Sequence, residues 1–436
     1  MKRSKQSSRM LKAIKSGSRP SIRSGRMPSS KSEARCILCR GTKLLCGKSR
    51  CPIMVKFYAQ SRIAPAINGL EMDGDSPPGV FVGRSGYPKV SVGPLIPPDH
   101  GDTSEMDTPE RWLGKSIDDI VDFRFRLVRG KSPVNVRDVN GGGRIVDATR
   151  EIAMSRDPAE IEARFTKRPT SRIVLDDDIQ PFGPAAPIKS MNLGTYRLDP
   201  NVERAHFDTD LKSRGAVAEL YGKGVYVSKI QRAFSVGAFG VEDNRRFVPT
   251  RWSITAIDSM LSKDLRARVK RYPSVNEYRV YESCTLDNRF EILMMPGAWS
   301  YELVEAWFPR SAWNPVGDRV AIFSSSEGYK GRKTYAEIGG CYYAARLATC
   351  EQLDKEERQA SVVILRESHP GYIMPVGVWN VRENVRNAVR GPCRKFDTLH
   401  GALAHVSTRL EIDLPTWLHN SDVLKNRIYQ RRIDEY

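Results

Sequence analysis

No apolar run in the 436 residues approaches the ~18 that a membrane-crossing helix needs, so no span is expected. Also missing are a G-x-S-x-G elbow, a Walker loop and an H-E-x-x-H pair, and no enzyme class is named by motif. Histidines are few and unclustered: His206, His369, His400, His405 and His419 show no metal spacing. His400 and His405 share a predicted helix, but five apart is not the i, i+4 step that puts two ligands on one face. Gly141-Gly-Gly143 lacks the lysine and the preceding strand of a phosphate loop, and no internal repeat is visible. Acids are almost absent from the start of the chain. Residues 1–35 hold eleven Lys or Arg against Glu33 alone, so +10 of the formal +19 sits there and the other 401 residues carry +9. A basic balance of this kind favours a polyanion, and inside cells nucleic acid is the commonest.

Cysteine is concentrated. Four of the eight lie in Cys36–Cys51 with the spacing C-x2-C-x6-C-x4-C. Glycines follow Cys39 and Cys46 closely, where tight turns could aim amides at thiolate sulfur. Zn2+ held by Cys36, Cys39, Cys46 and Cys51 is the expectation, with an iron–sulfur cluster as the alternative, since four thiolates serve either. Disulfides are a further alternative, but the lack of a signal peptide and the scatter of the other cysteines suggest a reduced, cytoplasmic and nucleoid-associated protein.

Hydrophobic content of 40% and charged content of 28% fit a globular α+β protein of two or three domains. Residues 1–32, rich in Ser, Lys and Arg, read as a disordered basic arm. Val80 and Val82, then Val90 and Val92, predict a hairpin whose turn carries Arg84, Tyr87 and Lys89, an arrangement able to hold a phosphate or stack a base. Helices are expected over 117–128 and 144–168, then a strand 172–175 running into Asp176, Asp177 and Asp178. Two more helices, 211–221 and 225–239, precede a polar stretch with Arg245, Arg246, Arg251 and Trp252, and Ser253 is the expected N-cap of the next helix. Basic and aromatic residues beside a helix N-terminus suit phosphate or base contacts, or else an internal network of salt bridges and caps. Three strands follow within 277–307. The Pro-, Gly- and Ser-rich stretch 309–331 predicts a boundary, with a smaller, mostly helical unit after it. Cys284, Cys341, Cys350 and Cys393 lack ligand spacing and are expected to be small buried apolar residues.

The chain ends with Gln430, Ile433 and Tyr436 in a Q-x-x-I-x-x-Y pattern. This resembles the peptide by which repair and replication proteins dock on the sliding clamp (PCNA). One helical turn puts Ile433 and Tyr436 on one face while Gln430 bonds at the rim, although the fuller motif has two adjacent aromatics.

Longer motifs carry a broader resemblance. Cys36/Cys39/Cys46/Cys51 followed by Pro52-Ile53, Phe81-Val-Gly-Arg-Ser-Gly-Tyr-Pro-Lys-Val90 with Gly93-Pro-Leu95, Lys229-Ile-Gln-Arg232, Asn244-Arg-Arg and Pro249-Thr-Arg-Trp-Ser-Ile-Thr255 together resemble the archaeal Nre (NreA-type) DNA repair proteins. The resemblance implies a zinc-finger-like start, a larger N-terminal and a smaller C-terminal region, a DNA-damage role and clamp binding. The expected organisation is therefore arm 1–32, four-cysteine knuckle 33–58, N-terminal α+β domain 59–312, C-terminal domain 313–428 and clamp peptide 429–436. The expected function is a DNA-binding repair factor recruited to the clamp, with DNA contacts at Arg84, Tyr87, Lys89, Lys229, Arg232, Arg245, Arg246 and Arg251. A metal-dependent nuclease or nucleotide-processing enzyme is the alternative, with Asp176, Asp178, Glu242, Asp243 and Asp258 as its candidate carboxylates. An RNA-binding protein is a third reading.

Overall fold

Alternating valines start the first sheet. Val80, Val82, Val90 and Val92 are buried. They lie in β2 (Val80–Val82) and β3 (Lys89–Ile96), paired antiparallel with Val82 opposite Val92. The computed structural model describes residues 35–36, 38–170, 181–315 and 317–429. The basic arm, the strand expected at 172–175 with its three aspartates, and Gln430–Tyr436 lie outside the described residues.

Around this hairpin stand β1 (Glu71–Ser76), β4 (Val128–Asn135), β5 (Ala159–Phe165) and β6 (Ala185–Leu193), in the order β1-β5-β6-β4-β3-β2. All neighbours are antiparallel except β4 and β6. Gly93 is required where β3 meets β4, because a Cβ there would strike the Gly130 carbonyl. Seven helices surround the sheet: α1 (Pro52–Ile63), α2 (Ile117–Arg126), α3 (Arg144–Met154), α4 (Pro200–Phe207), α5 (Ser213–Gly222), α6 (Val227–Ser235) and α7 (Thr250–Val269). Ser116 and Asp119 form a capping box that starts α2.

Two local expectations fail here for physical reasons. The helix read over 144–168 stops at Met154, and Ile161, Ala163 and Phe165 are buried on alternate positions of β5, a period of two rather than 3.6. Pro158 stands between the two elements, where a helix interior would be broken. Ser253 is not an N-cap. The helix begins at Thr250, directly after Pro249, and the Ser253 hydroxyl donates instead to the Gln231 carbonyl.

The second sheet has the order β10-β9-β11-β8-β7-β12, from β7 (Tyr278–Thr285), β8 (Asn288–Met295), β9 (Ser300–Trp307), β10 (Ala321–Glu327), β11 (Ser361–Ser368) and β12 (Arg394–Phe396). Strand β9 pairs antiparallel with β10 and parallel with β11. The boundary expected at 312/313 therefore falls between two hydrogen-bonded neighbours of one sheet. One apolar cluster runs through both sides of it, from Ile63 to Val389. On one face this core takes in α8 (Gly340–Lys355) and α9 (Trp379–Arg390). Helices α10 (Leu399–Ser407), α11 (Leu414–Asn420) and α12 (Asp422–Tyr429) cover the other face. Cys350 is buried as expected and Cys341 and Cys393 are half-buried, but Cys284 is exposed, since it alternates with the buried Ser283 on β7.

A lone carboxylate sits under the outer helices. Glu291 on β8 is 3% exposed, faces Glu282 directly across the β7/β8 pair, and has an Oε2 with no hydrogen-bond partner among the described residues. Burial, reinforced by Glu282 and Glu367 and opposed by Arg409 and Arg394, pushes its carboxyl up to about 8. In the unfolded chain the same group titrates near ~4.3. The native state thus keeps a proton that the unfolded state releases, and stability falls as pH rises through that window to about 8. Glu291→Gln is expected to remove about 3 kcal/mol of this loss between pH ~5 and ~8. Urea denaturation across that range measures it, and a variant with the wild-type slope would contradict the assignment.

Candidate nucleic-acid surface

Three loops are stitched together by main-chain bonds at one end of the first sheet. The Val82 amide donates to the Thr250 hydroxyl at 2.8 Å, which ties the β2–β3 hairpin to the first turn of α7. The Pro88 carbonyl accepts from the Val136 amide at 3.0 Å, and the Val136 carbonyl accepts from Phe247 at 2.8 Å. The Val248 amide then donates to Ser235 at the end of α6. This arrangement brings Tyr87 against Trp252, ring centroids 5.4 Å apart and planes tilted by 53°. Both remain in solvent, 50% and 47% exposed.

The same loops carry exposed cations. Arg84, Lys89, Arg246 and Arg251 are exposed, as the sequence suggests, and the same loops add an exposed Arg137. Among the described residues none of Arg84, Lys89, Arg137 and Arg251 has an ion-pair partner, and Arg246 makes a 3.4 Å bond to the Asn244 carbonyl. Asp138, Glu242 and Asp243 are the exposed acids carried by these loops. One turn along α7 from Trp252, Thr255 and Arg251 act on Tyr335, which is 63% exposed and packs its ring 5.4 Å from Tyr343. Sequence reasoning missed Arg137 and Tyr335. The signal for Arg137 was available, because it follows the buried alternation Val134, Val136 and so must point out.

Three other predicted contact residues turn inward. Lys229 pairs with Asp199 at 3.0 Å, and burial lowers its ammonium pKa despite that partner. Arg232 is buried and pairs with Asp107 at 2.8 Å, an acid that also binds Arg124 at 3.2 Å. Arg245 spends its guanidinium on the carbonyls of Gly240 at 2.8 Å and His206 at 2.6 Å, fastening the loop before α7 to the end of α4. These three hold the fold together instead of facing a partner.

Among the described residues, the candidate nuclease carboxylates Glu242, Asp243 and Asp258 are not gathered into a metal site. Asp176 and Asp178 lie outside the described residues; Glu242 and Asp243 sit exposed in a short turn. Asp258 is buried, faces Arg382 at 2.9 Å and accepts from Gln231 at 3.0 Å, and burial pushes its carboxyl up to about 6 against the pull of Arg382. Among the described residues no group of three or more His, Cys, Asp or Glu is placed to hold a metal. The four cysteines are included in that statement. The local chemistry nevertheless suits a thiolate: amides of Leu45, Gly41, Lys43 and Leu44 lower the Cys39 pKa, in turns where Arg40, Gly41, Leu44 and Gly47 take positive φ. The segment is also stapled to the body. Lys48 is buried and donates to the Ile373 carbonyl at 2.9 Å, and Arg50 forms a two-pronged bond with Asp118 at 2.6 and 2.7 Å.

Residues 45–314 match the family described as Archaeal Nre, N-terminal, and residues 327–436 match Archaeal Nre, C-terminal. The chain is 40% identical over 402 residues to DNA repair protein NreB of Archaeoglobus fulgidus, covering 92% of this chain and 99% of the relative. It is 34% identical over 378 residues to DNA repair protein NreA of the same organism, 86% of this chain and 94% of that one. With DNA repair protein NreA of Haloferax volcanii it shares 36% identity over 366 residues, 81% and 87% of the two chains. No solved structure matches. On the strength of both family matches and full-length relatives, the chain belongs to the archaeal Nre family.

Proposed function

We propose that this protein is a DNA repair factor that binds DNA through the surface around Tyr87 and Trp252 and is brought to the sliding clamp (PCNA) by Gln430, Ile433 and Tyr436. The repair role follows from relatives named DNA repair proteins along nearly their whole length. The observation that carries the DNA contact is the exposed Tyr87–Trp252 pair on loops whose exposed cations have no acidic partners among the described residues. A guanidinium already bonded to a carboxylate has little left for a phosphate, whereas an unpaired one releases counterions from the polyanion as it binds. No helix among the described residues is long and apolar enough to cross a membrane.

The electrostatic part is tested by salt titration. Arg84→Ser with Arg251→Ser should leave the melting temperature unchanged, since neither side chain has an ion-pair partner among the described residues. The slope of log K against log salt should fall by about 1.5–2 for two lost phosphate contacts. An unaltered slope would place the DNA elsewhere.

For the clamp, the support is the terminal pattern itself and the exit of the chain from α12, whose last residues Ile428 and Tyr429 are exposed. Deleting Gln430–Tyr436 should abolish capture of the protein on immobilised clamp while leaving its unfolding transition intact. Undiminished capture would defeat the docking proposal.

The four-cysteine segment is proposed to take zinc. Support comes from the amides that lower the Cys39 pKa, and the proposal requires the other thiols to close on the same point. Metal analysis is expected to find about one zinc per chain, lost on Cys36→Ser with Cys39→Ser together with a drop in melting temperature. Brown protein with iron would assign the cluster instead. Metal-free protein of unchanged stability would leave the segment a packed staple without a metal.

A further inference from the structure

We infer that the surface around Tyr87 and Trp252 selects DNA whose bases are unpaired, binding by ring stacking rather than by reading a groove; this rests on the DNA-binding reading above. Duplex DNA hides its base faces and offers phosphates and groove edges, so a protein that contacts duplex alone gains nothing from exposed flat rings. Here two rings stand about half in water on loops that also carry the exposed Arg84, Lys89, Arg246 and Arg251. Large apolar surface left open beside unpaired cations fits a partner that is flat, apolar and anionic together, which describes an unstacked nucleotide.

Geometry also argues against a groove reader. Entry into the major groove needs a protruding helix or two-stranded ribbon. The helix at this surface, α7, is packed on α5, α6 and α8 and buries Ile257, Leu261, Leu265 and Val269 along its length. Only its first turn reaches the patch, carrying Arg251 and Trp252. The β2–β3 ribbon is likewise bound into the sheet, with β3 paired to β4. What remains exposed is a set of turns, suited to following a flexible strand.

The ring pair is also fixed in advance. Tyr87 lies between Gly86, whose φ of 82° shapes the turn, and Pro88, whose carbonyl is held by Val136. Trp252 belongs to a 20-residue helix and its neighbour Ser253 is bonded to Gln231. Little side-chain entropy is lost when a base settles on such rings. Because the planes are tilted by 53°, neither ring covers the face of the other, and successive bases can lie one on each. Tyr335, on the Arg251 side of α7, extends the track.

The test uses the full chain with single-stranded DNA of about 20 nucleotides, a blunt duplex of the same sequence, that duplex with a central unpaired bubble, and the matching RNA strand, by fluorescence anisotropy at two salt concentrations. Single-stranded and bubble DNA are expected to bind at least about tenfold more tightly than the blunt duplex. Tyr87→Ala and Trp252→Ala should each weaken single-strand binding by about 5- to 150-fold, with little effect on the duplex, and Trp252→Phe should recover most of it. Equal binding of duplex and single strand, unmoved by the ring variants, overturns the inference while leaving DNA binding in place. Failure of every DNA to bind overturns the DNA-binding reading itself, and tighter binding of the RNA strand overturns the choice of DNA. A melting curve for each variant guards against misfolding, and binding unchanged in the folded Trp252→Ala protein overturns the stacking role.

Discussion

The placement of this surface depends on one buried cation. Arg382, on α9, is 1% exposed and bonds Asp258 of α7 at 2.9 Å and Glu383 at 3.1 Å, with Glu110 4.0 Å away. Glu110 in turn accepts from the Ser228 amide at 2.8 Å and hydroxyl at 2.7 Å, at the start of α6. Burial alone would raise the Glu110 carboxyl, but Arg382 and the Ser228 donors outweigh it and hold it low. Desolvating these charges consumes much of what their attraction returns, so the network adds little stability over a well-packed apolar one. Its value is geometric. Asp258 and Trp252 lie on the same rigid helix, about 9 Å apart along its axis, so the guanidinium that fixes one fixes where the other emerges.

The second sheet imposes the other constraint. Strand β9 belongs to the residues matched by the N-terminal family region, yet its neighbours β10 and β11 complete the sheet from across or beyond the family boundary. An edge formed by β9 without them would expose its main-chain donors and acceptors along eight residues. The link continues outward, because the buried Glu302 of β9 accepts from the Asp422 and Val423 amides at 3.0 and 2.9 Å, where α12 begins. A carboxylate at that helix start satisfies orphan amides and opposes the positive end of the helix dipole. The two family regions are thus sequence units joined in one fold, and the chain reaches its last seven residues from a helix anchored on β9, the strand next to the sheet's edge.

Much of this was legible in the sequence wherever one period dominated. The alternation at 278–307 gave three strands close to their observed limits. Residues 144–165 were misread because Ile161 and Phe165 satisfy a helical spacing as well as a strand one, and the structure decides by burying Ala163 between them. Arg84, Tyr87, Lys89, Arg246 and Arg251, read from composition and loop context, are exposed. Lys229, Arg232 and Arg245 were not separable from them, since Asp107 stands 125 residues from Arg232 and the His206 carbonyl that accepts from Arg245 belongs to another helix end.

That failure shows what net charge can and cannot say. The +9 of the chain beyond the basic arm favours a polyanion as partner without locating where one would bind. Location depends on which cations the fold has already neutralised: Arg124 and Arg232 share Asp107, Arg382 has Asp258, and Arg386 has Glu351. Among the described residues, several cations are left without a carboxylate partner, and those near Tyr87 and Trp252 stand on loops whose backbones are pinned by hydrogen bonds. A pinned loop cannot bend its cations back toward distant acids, so their charge stays directed outward. The same pinning keeps two rings in water that a flexible loop would fold down onto apolar surface, and the coincidence of both effects in one place is the physical basis for assigning it a flat, anionic partner.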